Sequence, residues 1–383
     1  MKIIADKNIS FAGEAFSRIG EVKLLPGRRI DKDAVKDADA LLVRTVTRVD
    51  ESLLGGTAVK FAGTATIGCD HVDLDYLRRN SIGFSYAPGS NANSVAEYIL
   101  SALFNLSKRF GFNLSDKTAG IIGCGNVGGR VLGKLEILGV KTLLNDPPLY
   151  EATGDKKYIP LEILLKEADI ITVHTPLTGG GKYPTRGLCG ESFFETAGKA
   201  PIFINSSRGA VCDSAALFSA LDSGAASHAV LDVWENEPGI DLNLLKKCAL
   251  GTPHIAGYSL DGKANATMML FNAVCRHFNL DAKWEPENMP APSNPLIESE
   301  PGLEEEKTVG EAVLKAYNIV CDDLKLRKIF DLKDEEKAEY FDSLRNNYPV
   351  RREFSSFTVK GSDEGGNCLQ KLQKLGFKTL RAR

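Results

Sequence analysis

The sequence predicts an α/β protein built on doubly wound parallel sheets, and three observations carry that prediction. Short apolar runs alternate with segments of helical spacing through most of the first 260 residues. One run, at 118–122, opens directly into a glycine-rich turn. Several others end in polar loops, at the side of an open α/β sheet where ligands are met.

The stretch 118–147 is the most informative. Ala119-Gly120-Ile121-Ile122 leads into Gly123-Cys124-Gly125-Asn126-Val127-Gly128, then a helical segment, then an apolar run at 140–145 that stops at Asp146. The first glycine permits a tight turn, the second lets a pyrophosphate approach the backbone, and the third lets helix and strand pack closely. N–H groups at the helix start face the phosphates. Asp146 lies about 20 residues beyond the glycines, where a carboxylate receives the ribose hydroxyls. This predicts a Rossmann-type dinucleotide domain. Pro147-Pro148 follow Asp146 with no adjacent Arg, so a 2′-phosphate would be repelled and NAD is favoured over NADP.

In chain order, strands are expected at 2–6, 21–25, 40–44 and 59–63 with a helix at 12–19, a first unit ending near Pro88. A helix is expected at 93–108, with Asn93 or Ser94 as N-cap and Glu97 in the capping-box position. Beyond the glycine turn come a helix at 161–166, strands at 169–173, 201–205 and 229–233, and a helix at 214–223. A long helix at 259–278 carries the chain back to the first unit and makes it discontinuous. Residues 284–301, rich in Pro and acid, read as a linker. Helices at 308–330, 334–344 and 367–375 with a strand at 354–359 form a small α+β C-terminal domain. The expected domains are a flavodoxin-like substrate domain at 1–92 and 259–285, an NAD-binding domain at 93–258, and a C-terminal domain at 286–383.

A net charge of −3 gives no reason to expect nucleic acid or an anionic membrane as partner. The N-terminus turns charged at Lys2, and no run approaches the roughly 18 apolar residues of a membrane span, so a cytoplasmic location is expected. Eight cysteines stand singly with no CxxC pair, and most read as reduced, buried thiols. No metal is expected.

A nicotinamide site makes alcohol oxidation the chemistry to look for, which needs a base for the hydroxyl proton and a cation to hold the substrate. Of five histidines, His277 inside an apolar helix and His228 before a strand read as structural, and His71 and His174 as loop residues that are not the base. His254 follows Thr252-Pro253 at a strand end and is the candidate base. Asp232 and Glu237, in the preceding loop, supply an anion to orient it. Arg208, after another strand end, can fork onto a carboxylate.

These stretches resemble the D-2-hydroxyacid dehydrogenase family over roughly residues 1–285. The likeness is carried by Gly123 to Gly128, His174-Thr175-Pro176-Leu177-Thr178, Asn205-Ser206-Ser207-Arg208-Gly209, Leu231-Asp232-Val233 with Glu237-Pro238, and Thr252-Pro253-His254-Ile255-Ala256-Gly257. The resemblance implies a catalytic set of Arg208, Glu237 and His254. It also implies NAD contacts at Asn126, Val127, Asp146, Thr175, Ser206, Ser207, Arg208, Asp232 and Gly257. A closer resemblance, to a member acting on a small phosphorylated 2-hydroxy acid, spans nearly the whole chain. It rests on Val43-Arg44-Thr45-Val46-Thr47, Gly63-Thr64-Ala65-Thr66-Ile67-Gly68-Cys69-Asp70-His71, Tyr258-Ser259 and Tyr348-Pro349-Val350-Arg351-Arg352-Glu353-Phe354.

That resemblance implies substrate contacts at Thr45, Thr66 and Tyr258, and a homodimer formed through the C-terminal domain. Thr45 stands where Ser is expected, keeping the hydroxyl and adding a methyl. A substrate anionic at both ends requires two cation sites, Arg208 for the carboxylate and Arg44 for the phosphate. Arg351 and Arg352 are open to either a site contact or a dimer salt bridge. The rival readings are a family member acting on another acid such as 3-phosphoglycerate, and a non-catalytic NAD(H)-sensing binding protein.

Overall fold

The computed structural model describes residues 1–300, 302–361 and 367–381, and forms two compact units. Pro301 of the expected linker, and 362–366 and 382–383 of the expected C-terminal domain, lie outside the described residues.

The first unit comprises Met1–Asn91 and Tyr258–Pro290. Its strands are β1 (Lys2–Asp6), β2 (Glu21–Leu25), β3 (Ala40–Val43), β4 (Phe61–Thr64) and β5 (Gly83–Tyr86), all parallel in the order β2-β1-β3-β4-β5. This is the flavodoxin-like strand order. Alternation along the central strands divides the core. Ile3, Ala5, Ala40 and Leu42 face Phe16, Phe271 and Trp284 on one side. Ile4, Leu41 and Val43 face Val35, Leu54 and Leu77 on the other. The helix Leu260–His277 covers the first face, its start capped by Ser259 Oγ accepting from Gly262 N at 2.8 Å. Its Phe271, fully buried, contributes about 2 kcal/mol. Strand β5 is not anticipated by periodicity, because an edge strand with half-exposed residues shows no clean alternation.

The second unit comprises Ala92–Gly257 and Ala291–Arg383. Strands β6 (Thr118–Ile122), β7 (Lys141–Asn145), β8 (Ile170–Val173), β9 (Ile202–Asn205), β10 (His228–Leu231) and β11 (Leu250–Gly251) form a parallel sheet in the order β7-β6-β8-β9-β10-β11. Every residue of β8 and β9 is buried, as expected of parallel strands covered on both faces. The chain runs outward from β6 to β7, then crosses back to β8. The glycine turn after β6 therefore sits at the switch point where such sheets bind ligands.

Four expectations are corrected here. The first long helix is Ala92–Phe110, so Asn93 and Ser94 lie inside it and no capping box forms. Buried Glu97 instead accepts from Asn93 Nδ2 at 2.9 Å and from Phe354 N at 3.0 Å. The expected helix at 308–330 is broken into Glu305–Ala316, Val320–Arg327 and a 3₁₀ turn. The break occurs because Ser101 Oγ donates to Tyr317 O at 2.8 Å and accepts from Ile319 N at 3.1 Å, replacing helical bonds. Within the stretch read as a linker, β12 (Leu296–Glu298) pairs with β13 (Thr358–Gly361), which pairs in turn with β14 (Lys378–Arg381). The strand expected at 354–359 starts late because Phe354–Ser356 makes a 3₁₀ turn against Glu97. Among the described residues no helix is long and apolar enough to cross a membrane.

Candidate active site

The glycines after β6 have separate physical duties. Gly123 takes a φ of +85°, and a Cβ there would lie 2.9 Å from the His174 carbonyl. A Cβ on Gly128 would lie 2.0 Å from Gly123 O, so only glycine lets the helix Asn126–Ile137 start this close to the turn. At Gly125 a Cβ would meet nothing within 4 Å, which leaves room for a phosphate group against the backbone. The N–H groups at the helix start have no intrahelical acceptor. Asp146 follows β7 directly; its Oδ2 accepts from Cys124 N at 2.8 Å and its Oδ1 from Leu149 N at 3.0 Å. It thus ties the glycine turn to the helix Pro147–Thr153, and each oxygen keeps a further lone pair. Beside it opens a cavity of about 540 Å³ lined by Pro147, Tyr150 and Tyr158.

Around the next strand ends lie buried polar atoms with no partner among the described residues: Thr175 Oγ1, Ser206 Oγ and His174 Nδ1. Such atoms cost about 1–3 kcal/mol each unless a ligand or water meets them. Burial pushes the His174 pKa down to about 3, and its Nε2 lies 3.0 Å from Thr172 Oγ1. His174 is therefore neutral in the folded protein, while the unfolded chain binds a proton below about pH 6.5. Stability is full above pH 6.5 and falls as the pH drops towards 3. At pH 5 the loss is about 2 kcal/mol. Urea unfolding at pH 7 and pH 5 should show it, and a His174→Gln variant should lose that part of the pH dependence.

Arg208 sits in the loop after β9. Its Nη1 donates to Ser207 O at 2.8 Å, one of five donors on the fork. The loop is held from within: Asn205 Oδ1 accepts from Ser207 N at 3.0 Å and Ser207 Oγ at 2.8 Å, and Asn205 Nδ2 donates to Arg208 O at 3.1 Å. A Cβ on Gly209 would fall 1.9 Å from Trp234 O, which explains the Arg-Gly pair.

His254 Nδ1 lies 2.8 Å from Glu237 Oε2. Burial raises the Glu237 pKa, but the His254 bond and charge and the Trp234 N–H outweigh it, and the net shift is downward. An ionised carboxylate only accepts, so Nδ1 carries the proton and Nε2 presents a lone pair. His254 itself holds a φ of +58°, uncommon for a residue with a side chain. Asp232 maintains that backbone. Buried to 1% exposure, it accepts from Thr252 Oγ1 at 2.6 Å, Ile255 N at 2.7 Å and Ala256 N at 2.9 Å, while its carbonyl accepts from His254 N at 2.7 Å. Thr252 Oγ1 lies 2.7 Å from Tyr98 OH, and Trp234 Nε1 donates to Thr252 O. Tyr98 and Thr252 were not anticipated. Tyr98 reads as one more core aromatic on an apolar helix, and only its distant partner reveals it.

In the first unit, Arg44 and Thr45 follow β3 and Thr66 follows β4, at the carboxyl ends of adjacent strands. Thr45 is exposed and Arg44 half-buried. Thr66 Oγ1 donates to Gly68 O at 2.6 Å. Thr64 Oγ1, 2.7 Å away, then donates to Thr66, and His71 Nε2–H donates to Thr64 at 2.9 Å. Thr66 is left with an acceptor site for a ligand hydroxyl. Tyr258 lies under Lys263 Nζ at 5.2 Å. The remaining histidines are packed: His228 stacks on Phe110 at 3.7 Å and His277 lies 5.3 Å from Phe61.

Residues 92–256 match the family described as D-isomer specific 2-hydroxyacid dehydrogenase, NAD binding domain. Residues 289–376 match a Domain of unknown function (DUF3410). The erythronate-4-phosphate dehydrogenase of Klebsiella pneumoniae (strain 342) is 45% identical over 381 residues, 99% of each chain. The chain belongs to the D-isomer specific 2-hydroxyacid dehydrogenase family. The erythronate-4-phosphate dehydrogenase of Yersinia pestis (strain Pestoides F) is likewise 45% identical over 380 residues, again 99% of each chain. Among solved structures, NAD⁺-bound 3-phosphoglycerate dehydrogenase of Entamoeba histolytica aligns with a TM-score of 0.61 at 26% identity, covering 76% of this chain and 99% of that one. The chain is thus an NAD-dependent dehydrogenase of this family, and the open Gly125 and unpartnered Thr175 and Ser206 hydroxyls fit NAD.

Proposed function

We propose that this protein oxidises the 2-hydroxyl of 4-phospho-D-erythronate to 2-oxo-3-hydroxy-4-phosphobutanoate, a step of vitamin B6 biosynthesis. The observation that carries the chemistry is the His254–Glu237 pair, which leaves Nε2 as an oriented base. Full-length likeness to curated erythronate-4-phosphate dehydrogenases supports the substrate. NAD, when bound, supplies the hydride acceptor. Arg208 holds the substrate carboxylate through paired N–H groups. His254 Nε2 takes the hydroxyl proton, and Glu237 stabilises the imidazolium that results; in the reverse direction His254 returns the proton.

Gly123, Gly125, Asn126, Val127 and Gly128 cradle the pyrophosphate, and Asp146 takes the ribose hydroxyls. Thr175, Ser206, Ser207, Asp232 and Gly257 complete the cofactor contacts. Arg44 takes the substrate phosphate, with Thr45, Thr66 and Tyr258 on its hydroxyls. Two chains pair as a homodimer through the C-terminal domain at 286–383, the substrate domain being 1–92 with 259–285 and the NAD domain 93–258.

Steady-state assays with 4-phospho-D-erythronate, 3-phosphoglycerate and D-lactate, each with NAD and NADP, test this reading. The first acid with NAD should give the highest kcat/KM by about a hundredfold, consistent with a site that pairs polar groups. Arg44→Ala should lower kcat/KM for the phosphorylated acids alone. Preference for 3-phosphoglycerate would remove the substrate assignment, and NADH binding without turnover would favour a sensor.

A further inference from the structure

One buried arginine of the C-terminal region reaches the loop that carries His254. Arg351 is 7% exposed, and its Nη2 donates to Ala256 O at 2.7 Å and to Ser94 O at 2.9 Å. Its guanidinium carbon lies 4.2 Å from the centroid of the Tyr317 ring. Ala256 is two residues beyond His254, and its N–H is already held by Asp232 at 2.9 Å. The same residue is therefore gripped at both backbone groups, the N–H by a carboxylate of the NAD-binding sheet and the carbonyl by a guanidinium from the C-terminal region.

His254 needs such a grip. Its left-handed backbone costs of order 1 kcal/mol or more and persists only where its surroundings over-determine it. The Nδ1 contact to Glu237 depends on that conformation. A guanidinium bound to two carbonyls and stacked on a ring is fixed in plane and direction, which a lysine ammonium on a flexible stem cannot reproduce. The same Nη2 also donates to Ser94 O in the helix Ala92–Phe110, so the loop is referenced to a rigid element.

We propose that Arg351 is a positioning residue for His254, holding the loop at 254–257 so that the imidazole keeps its catalytic orientation. The C-terminal region then contributes to catalysis as well as to assembly. This rests on the reading of His254 as the acid–base group.

The test compares Arg351→Met and Arg351→Lys with Glu306→Gln, which loses a different C-terminal contact, to Leu114 N and Ser115. Turnover is measured with 4-phospho-D-erythronate carrying hydrogen or deuterium at C2, alongside NADH affinity and thermal unfolding. In Arg351→Met, kcat should fall roughly 10- to 100-fold, as a misplacement of about 1 Å can cause. NADH affinity should fall much less than kcat, because of the proposed cofactor contacts only Gly257 lies on this loop, and the deuterium effect on kcat should rise as the chemical step becomes limiting. Arg351→Lys should recover only part of kcat. Glu306→Gln should lose stability with kcat and isotope effect unchanged.

Unchanged kcat and isotope effect in folded Arg351→Met would overturn the proposal. So would matching changes in Glu306→Gln, or both Arg351 variants emerging unfolded, since the arginine would then support the fold at large. His254→Ala separates the premise: full activity there removes both ideas, whereas loss there with unchanged Arg351→Met removes only this one.

Discussion

Replacing His254 with alanine is expected to lower turnover by about a hundredfold or more while leaving NADH affinity within a few-fold of the parent. The size follows from the two jobs the imidazole performs. Its Nε2 accepts the hydroxyl proton, and its Nδ1–H, 2.8 Å from Glu237, lets a carboxylate stabilise the charge that forms. Alanine removes both and leaves Glu237 its Trp234 N–H bond. Most of the proposed cofactor contacts lie on other loops, at the glycine turn and after β8 and β9, and alanine at 254 removes none of them, so binding should survive. Steady-state kinetics and NADH fluorescence titration distinguish the outcomes, and near-normal turnover would eliminate His254 as the base.

Gly128→Val is expected to destabilise the fold by about 3 kcal/mol and to weaken NADH binding by roughly a hundredfold. The added Cβ would sit 2.0 Å from Gly123 O and 3.3 Å from Ile121 Cγ2, so the helix start must back away from the turn. That withdrawal carries the phosphate-facing N–H groups with it. Gly125→Ala provides the contrast. Its Cβ meets no protein atom within 4 Å, so unfolding should be nearly unchanged while NADH affinity still falls, because the space is needed by the ligand. Equal NADH affinity in parent and Gly128→Val would show that this turn does not hold the cofactor.

Much of the fold was legible because its signals are local. The run at 118–147 states its strand, turn, helix and acid within 30 residues, and hydrophobic spacing alone marks most of the parallel strands in both units. His254 was readable as a candidate base because it lies on a loop at a strand end and few other histidines do, while the choice of Glu237 over Asp232 as its partner came from the family resemblance. The C-terminal region was read less well. A helix was expected through 317–319, where Ser101 intercepts the backbone bonds, and a linker where β12 pairs with β13. Both features depend on partners far along the chain, and periodicity carries no information about them.

The sequence by itself pointed to the α/β class, to the dinucleotide turn with Asp146 and hence to NAD, and to Arg208 and His254 as candidates with Asp232 or Glu237 as the anion. Each of these rests on chemistry encoded in neighbouring residues or in residue type. Only the tertiary structure decided how His254 is held: its backbone at a φ of +58°, Asp232 beneath it with three donors, and Arg351 on the carbonyl of Ala256. Asp232 and Arg351 read in the sequence as a cofactor contact and a cation of open role. Burial gives them their positioning task, because a charged group inside a protein must find hydrogen bonds there, and here the nearest ones belong to the loop that carries the base.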